Sequence, residues 1–261
     1  MQDARMTRAA WWTLRVGAAA CFVGHGAFGI LTKEAWVPYF AFVGIPADWA
    51  YALMPVVGAV DIAVGLTVLI SPRPAVLAYM VAWALWTALL RPLTGESFFE
   101  TLERAGNYGV PLAFLLFAGV PRTWREWFQP MRADSALGDR ALAMRVLLVT
   151  TALLLFGHGG LAAQGKPLLA SHMSVAGLSP AALSLVGFAE MSVALLLLAA
   201  PSTPLLVAVT LWKLSTEALF PIAGAPIWEF IERGGSYAAP LALALLLVAN
   251  PVRILTLRRT P

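Results

Sequence analysis

A single cysteine, Cys21, stands in 261 residues, which excludes an internal disulfide and any Cys-x-x-Cys redox pair. Charge is also scarce. Asp, Glu, Lys and Arg make up 12% of the chain, about half of what a soluble domain carries. No P-loop, nucleophile elbow or His-Glu-x-x-His occurs, so three common catalytic chemistries lack their sequence signatures. No segment alternates polar and apolar residues as a membrane β-strand must. Gly24-His25-Gly26-Ala27-Phe28-Gly29 does fit the dinucleotide pattern G-x-G-x-x-G. That pattern needs a preceding strand and a helix N-terminus for the pyrophosphate, and here it lies inside an apolar run.

Apolar residues are what the chain has in excess, at 60% hydrophobic with a mean hydropathy of +0.77. They fall in eight runs, near 12–32, 52–70, 74–92, 107–121, 145–164, 182–200, 203–221 and 235–250. A spanning helix takes ~20 residues, so the shorter runs imply tilt or local thinning. The expected fold is all-α: a polytopic membrane protein with eight transmembrane helices as two tandem four-helix bundles. Residues 1–121 form the first repeat, 122–144 a cytoplasmic or interfacial linker, and 145–261 the second repeat.

The repeat is read from the chain itself. Gly24-His25-Gly26 recurs as Gly157-His158-Gly159 and Lys33 as Lys166, at one constant offset. After a four-residue deletion Asp61 matches Glu190, Trp83 matches Trp212, Pro92 matches Pro221 and Gly95 matches Gly224. Glu100, Glu103, Arg104, Gly106, Tyr108 and Pro111 match Glu229, Glu232, Arg233, Gly235, Tyr237 and Pro240. Four spans per copy give both copies the same orientation, unlike inverted-repeat transporters.

Lys and Arg set that orientation. The N-terminal arm, the 71–73 turn, the linker and the C-terminal tail hold 12 of the 18 basic residues. Both termini and the linker are therefore expected on the cytoplasmic side, in a bacterial inner membrane. The basic balance then answers to anionic headgroups rather than nucleic acid. A cleaved signal is not expected, because the first span carries His25 and its counterpart His158 cannot be removed. The outer segment 33–50 is rich in Trp36, Tyr39, Phe40, Phe42 and Trp49, which favour an interface. Glu100 and Arg104, like Glu229 and Arg233, stand four apart and can pair on one helix face; the stretch reads as a solvated surface helix. Trp124, Trp127 and Phe128 suggest an interfacial helix in the linker.

His25 lies ten residues past Arg15 and Asp61 ten residues before Ser71, so both sit ~15 Å from the cytoplasmic edge at 1.5 Å per residue. His158 and Glu190 fall at matching depth, with Trp83 and Trp212 near that level and Tyr108 and Tyr237 further out. A lone carboxylate at a helix centre costs at least ~2.5–3.5 kcal/mol, and the imidazole at its own depth is the obvious partner. Such a pair can exchange protons, or it can be only an interhelical hydrogen bond. Lys213 and Glu217 occur in the second copy alone, where the first has Ala84 and Ala88. The second copy is accordingly the expected working site, a midplane pocket with His158, Glu190 and Lys213 as the catalytic groups and Trp212, Glu217 and Tyr237 as binding groups. His25, Asp61, Trp83 and Tyr108 are the counterpart binding set; a rival reading is that Lys213 and Glu217 merely neutralise each other. No metal site is expected. Haem is the weaker cofactor reading, because the two histidines lie in separate units.

The Gly-rich first span closing in Lys, followed by an acidic residue in a Gly/Leu-rich second span, resembles the DoxX-like (DoxX/DoxD) family of four-helix membrane proteins. Here those residues are Gly24 to Lys33 with Asp61, and Gly157 to Lys166 with Glu190. The chain departs in carrying the unit twice and in lacking a Gly-Pro-Gly-type ending. The resemblance implies a membrane redox setting, since DoxD-type members are similar to subunits of thiosulfate:quinone oxidoreductase. Three functions follow as expectations: a quinone-linked redox subunit working with a partner redox protein, a carrier for a lipid or small hydrophobic molecule, and an anchor for a partner enzyme.

Overall fold

The computed structural model describes residues 2–133 and 138–249. Part of the linker and the basic tail with Arg253, Arg258 and Arg259 lie outside the described residues. Within them the chain is helical and has no strand. The first half runs α1 (Gln2–Ile30), α2 (Val37–Phe42), α3 (Ala47–Ile70), α4 (Pro74–Leu93), α5 (Phe99–Glu103) and α6 (Ala105–Ala118). A short α7 (Trp124–Trp127) falls where the interfacial helix is expected. The second half runs α8 (Arg140–Ala163), α9 (Pro167–Val175), α10 (Leu183–Ala199), α11 (Thr203–Ile222), α12 (Trp228–Glu232) and α13 (Gly234–Ala249).

Six helical segments are long and apolar enough to cross a membrane: α1, α3, α4, α8, α10 with the turn before it, and α11. The chain is thus a membrane protein by the length and composition of its helices. The other two expected crossings, α6 and α13, are apolar but have only 14 and 16 residues, or ~21 and ~24 Å at 1.5 Å per residue. Their outer ends break at an arginine. Arg104 leaves helical geometry between α5 and α6 (φ −88°, ψ 10°), and Arg233 does so between α12 and α13 (φ −85°, ψ 16°). Local signals set the other boundaries. Pro74 and Pro167 open α4 and α9, where a missing amide costs nothing. Asp139 caps α8 by accepting the Leu142 amide at 2.8 Å.

Packing joins the two halves along their length. α1 lies against α3 and equally against α13, while α8 lies against α10 and α6. One continuous apolar core draws on α1, α4, α6, α8, α11 and α13. Small residues permit the closest approaches. A Cβ on Gly106 would fall 2.6 Å from the Gly235 carbonyl carbon, and one on Gly235 would fall 2.4 Å from that of Gly106. Likewise Gly24 admits the backbone of Glu232 and Gly157 that of Glu103. Each contact therefore has a reciprocal counterpart at the sequence-matched position. By contrast α3 and α10 show large apolar side chains outward, among them Val56, Ile70, Leu185 and Phe188. That is the surface lipid covers.

Gly106→Val should lower the thermal midpoint in detergent, because overpacking a tight contact costs roughly 1–3 kcal/mol. Leu185→Val, on the exposed face of α10, should leave it unchanged. Equal midpoints for the two variants would show that α6 and α13 do not meet closely.

Candidate functional site

Two histidine–carboxylate pairs form where matching depth places them. In the first half His25 on α1 meets Asp61 on α3, Nδ1 to Oδ2 at 2.7 Å. In the second, His158 on α8 meets Glu190 on α10, Nδ1 to Oε2 at 2.5 Å. A carboxylate on Nδ1 takes up the Nδ1–H and leaves Nε2 as the acceptor nitrogen of a neutral ring. The two pairs differ in their surroundings. His25 keeps 20% of its side chain exposed and His158 only 7%. Trp212 completes the second pair, its indole N–H donating to Glu190 Oε1 at 2.5 Å. No such bond joins Trp83 to Asp61; Trp83 Nε1 and Asp61 Oδ1 are both buried without a hydrogen-bond partner.

Beside His25 lies a cavity of about 350 Å³, within the range that holds small organic ligands. Its walls come from α1, α2, α3 and α4, and its outer end is polar, with Arg91, Arg104, Asn107 and Glu232. Trp36 stacks on the His25 imidazole at 4.5 Å and 25°. Tyr39 donates to Glu96, whose other oxygen accepts from Arg91 at 2.9 Å. Val56 and Trp86 line the cavity and are themselves exposed, so it reaches the lipid-facing surface between α3 and α4.

The matched positions of the second half carry bulkier, charged side chains. Lys213 occupies the position of Ala84, a cavity-lining residue, and is only 1% exposed. Its Nζ approaches Glu217 to 2.5 Å, and Arg233 Nε approaches the same carboxylate at 2.8 Å. Both are ion pairs by distance; Lys213 Nζ and Glu217 Oε2 lack an aligned hydrogen bond. Lys213 is thus held by Glu217, the arrangement of the rival reading. A second cavity of about 360 Å³ does touch Glu190 and Trp212, but on the other side of the pair, among Leu155, Val193, Leu205 and Ala208. In the first half Phe22 and Tyr79 stand at the places of Leu155 and Ala208, and Tyr79 stacks on Trp83 at 6.2 Å. Tyr108 and Tyr237 line neither cavity. Their hydroxyls donate to the carbonyls of Thr101 and Phe230, tying α5 to α6 and α12 to α13.

The expectation of a solvated surface helix around Glu100 and Arg104 is overturned. The pair forms, at 2.7 Å, yet the Glu100 side chain is only 6% exposed. Burial arises because the partner lysine comes from the other half: Lys166 meets Glu100 at 2.6 Å, and reciprocally Lys33 meets Glu229 at 2.8 Å. Glu229 also accepts from Arg233 at 2.6 Å. Burial alone would raise the Glu229 carboxyl, but the charges of Arg233 and Lys33 outweigh it and pull it down to about 2. A further polar crevice between the halves, with about 30 Å³ of free space, is lined by Arg104, Asn107, Glu217, Glu232, Arg233 and Ser236 among others. That is room for one or two waters.

Sequence reasoning singled out both pairs and both tryptophans, and missed the cavity wall. Trp36 and Tyr39 were readable only as interfacial aromatics. Arg91, Arg104, Asn107 and Glu232 converge from α4, α6 and the other half, which no local pattern announces. The signal that was present is Ala84, a small cavity-lining residue where the other half has Lys213.

Since Glu229 is held below the ordinary carboxylate value, its stabilising contribution is complete above the unfolded value of about 4.3 and fades as pH falls toward about 2. The thermal-midpoint advantage of the native protein over Glu229→Gln should accordingly be full at pH 6 and shrink on acidification through that window. An advantage that grew on acidification would contradict the pairing with Lys33 and Arg233.

No protein-family model, curated protein or solved structure matches the chain, so the site's chemistry rests on its own geometry.

Proposed function

We propose that this is a DoxX-like, quinone-linked membrane redox subunit whose first half binds the quinone headgroup in the cavity beside His25. The observation that carries the reading is the asymmetry between matched positions. An aromatic-walled space opens onto the more exposed His–carboxylate pair, and where the first half lines it with Ala84 the second half has the buried Lys213, paired with Glu217. The residues present suit such a group: apolar and aromatic walls for a ring, a lateral opening for a tail, and an imidazole for proton exchange. When bound, a quinone supplies two-electron, two-proton chemistry, with electrons exchanged through a partner redox protein. Asp61 orients the His25 ring and fixes its tautomer, and Nε2 takes or returns the proton. Trp36 holds the imidazole plane, while Arg91 and Arg104 supply positive charge at the polar end. In this reading the His158–Glu190–Trp212 cluster is a closed structural copy.

The same proposal takes α6 and α13, with α5 and α12 as their outer extensions, as the fourth and eighth crossings of a duplicated four-helix unit. Reciprocal Lys33–Glu229 and Lys166–Glu100 pairs support the duplication. The excess of Arg near both termini and the linker supports a cytoplasmic location for them, in a bacterial inner membrane.

Two experiments test this. Calorimetric titration of the purified protein with decylubiquinone should show binding that falls about tenfold or more, ~1.4 kcal/mol, in Ala84→Lys/Ala88→Glu, which imports the charged pair of the second half. His25→Gln should weaken it comparably, with both variants folded. Undiminished binding in the double variant would remove the first cavity as the site. For topology, single cysteines introduced after Cys21→Ser should be labelled from the inside at 134–139 and from the outside at 96–98. The reverse pattern would refute the orientation.

A further inference from the structure

The two halves differ by one methylene at the carboxylate, and that difference leaves a pair of polar atoms open. Glu190 reaches both the His158 ring and the Trp212 N–H. Asp61 reaches only His25, so its second oxygen and the Trp83 N–H stay buried and unpartnered. Buried polar atoms in native proteins are almost always satisfied. Two complementary ones, Trp83 in the wall of a ligand-sized cavity and Asp61 fully buried but bonded to His25 in the same wall, mark a place for an occupant.

We propose that Asp61 and Trp83 form a subsite for a hydroxyl group carried on an apolar, preferably aromatic, body. The proposal rests on the reading of the first cavity as a binding site and specifies what that site selects. The indole N–H can only donate, and an ionised carboxylate can only accept. A group bridging them must accept from one and donate to the other. A hydroxyl does both; a ketone, ester or ether only accepts, and an ammonium only donates. Among redox-active ring compounds this favours the hydroxylated, reduced form over the dione. Trp83 and His25 line the cavity and Asp61 is bonded to that His25, so occupancy of the subsite requires the indole to turn until its N–H and the second Asp61 oxygen both face the ligand. The His25 ring, bonded to the other Asp61 oxygen, completes the arrangement. The rest of the occupant lies among Trp36, Leu53, Val57 and Trp86, which no charged or strongly hydrated body would suit. The second half lacks the subsite because Trp212 and Glu190 satisfy each other.

The test uses the full-length protein in detergent and two probes that differ only at oxygen, 4-octylphenol and its methyl ether, 4-octylanisole. Calorimetry should give the phenol at least about tenfold tighter binding. Asp61→Glu, which recreates the closed pair of the second half, and Trp83→Phe, which keeps the ring without the N–H, should each reduce the phenol to the affinity of the ether. Thermal midpoints identify any variant that fails to fold, and either variant alone suffices. Equal binding of phenol and ether by the native protein, or a preference surviving in both folded variants, overturns the subsite. If the ether still binds and Ala84→Lys abolishes that binding, the cavity reading stands without the hydroxyl subsite. If neither probe binds the native protein, the cavity reading fails and the subsite falls with it.

Discussion

The constraint on which the structure depends is that six cations must be neutralised away from the Arg-rich side. Lys33, Arg91, Arg104, Lys166, Lys213 and Arg233 are the basic residues left once those of the termini, the 71–73 turn and the linker are set apart, and each is ion-paired with a glutamate. An unpaired charge in hydrocarbon is costly enough to exclude it. Pairing these groups is therefore a condition of folding. The solution crosses between halves, because each first-helix lysine finds its carboxylate on the short helix of the other half. That exchange brings α5 and α12 inward, and the glycines on α1 and α8 let them approach. Neither half can satisfy its charges alone.

This shared polar layer also decides where space is left. In the second half Lys213 and Glu217 enlarge the ionic network and put charged side chains where the first half has alanines. In the first half Ala84 and Ala88 contribute no charge, Arg91 turns toward Glu96, and the volume beside His25 remains. Both histidine pairs are the same interaction to within a methylene, so their difference comes from that methylene and from the neighbours. Extra buried charge reads in sequence as a sign of activity. Here it is packed against its own counterion, Lys213 on Glu217.

Much of the fold was legible. Apolar run lengths locate the helices, and matched offsets locate both His–carboxylate pairs, because depth along a helix converts directly into distance from the membrane edge. What sequence could not supply was lateral neighbourhood. The Glu100–Arg104 spacing predicts a helical pair and is correct, but nothing local says that Lys166 will cover it. Lys213 sits one residue from Trp212 in sequence, yet on a helix adjacent residues diverge by about 100°, so its partners lie in another direction. Tyr108 and Tyr237, a little further out than the pairs, donate their hydroxyls to backbone carbonyls. Depth alone is a one-dimensional coordinate, and sites are three-dimensional.

The single methylene between Asp61 and Glu190 carries more weight than its size suggests. In the second half the longer acid lets indole, carboxylate and imidazole satisfy one another, which leaves nothing for a ligand to gain. In the first half the shorter acid leaves one donor and one acceptor unmet, close to the cavity that the more exposed imidazole lines. Each of these features has its own local cause: a shorter side chain, two alanines, a tryptophan on the outer segment. A chain needing only insertion and stability would gain by closing the gap as its other half does, since unmet buried polar groups are destabilising. That the unmet polar pair, the exposed imidazole and an aromatic-walled cavity lined by that imidazole coincide in the first half is the physical argument for the proposal that places function there.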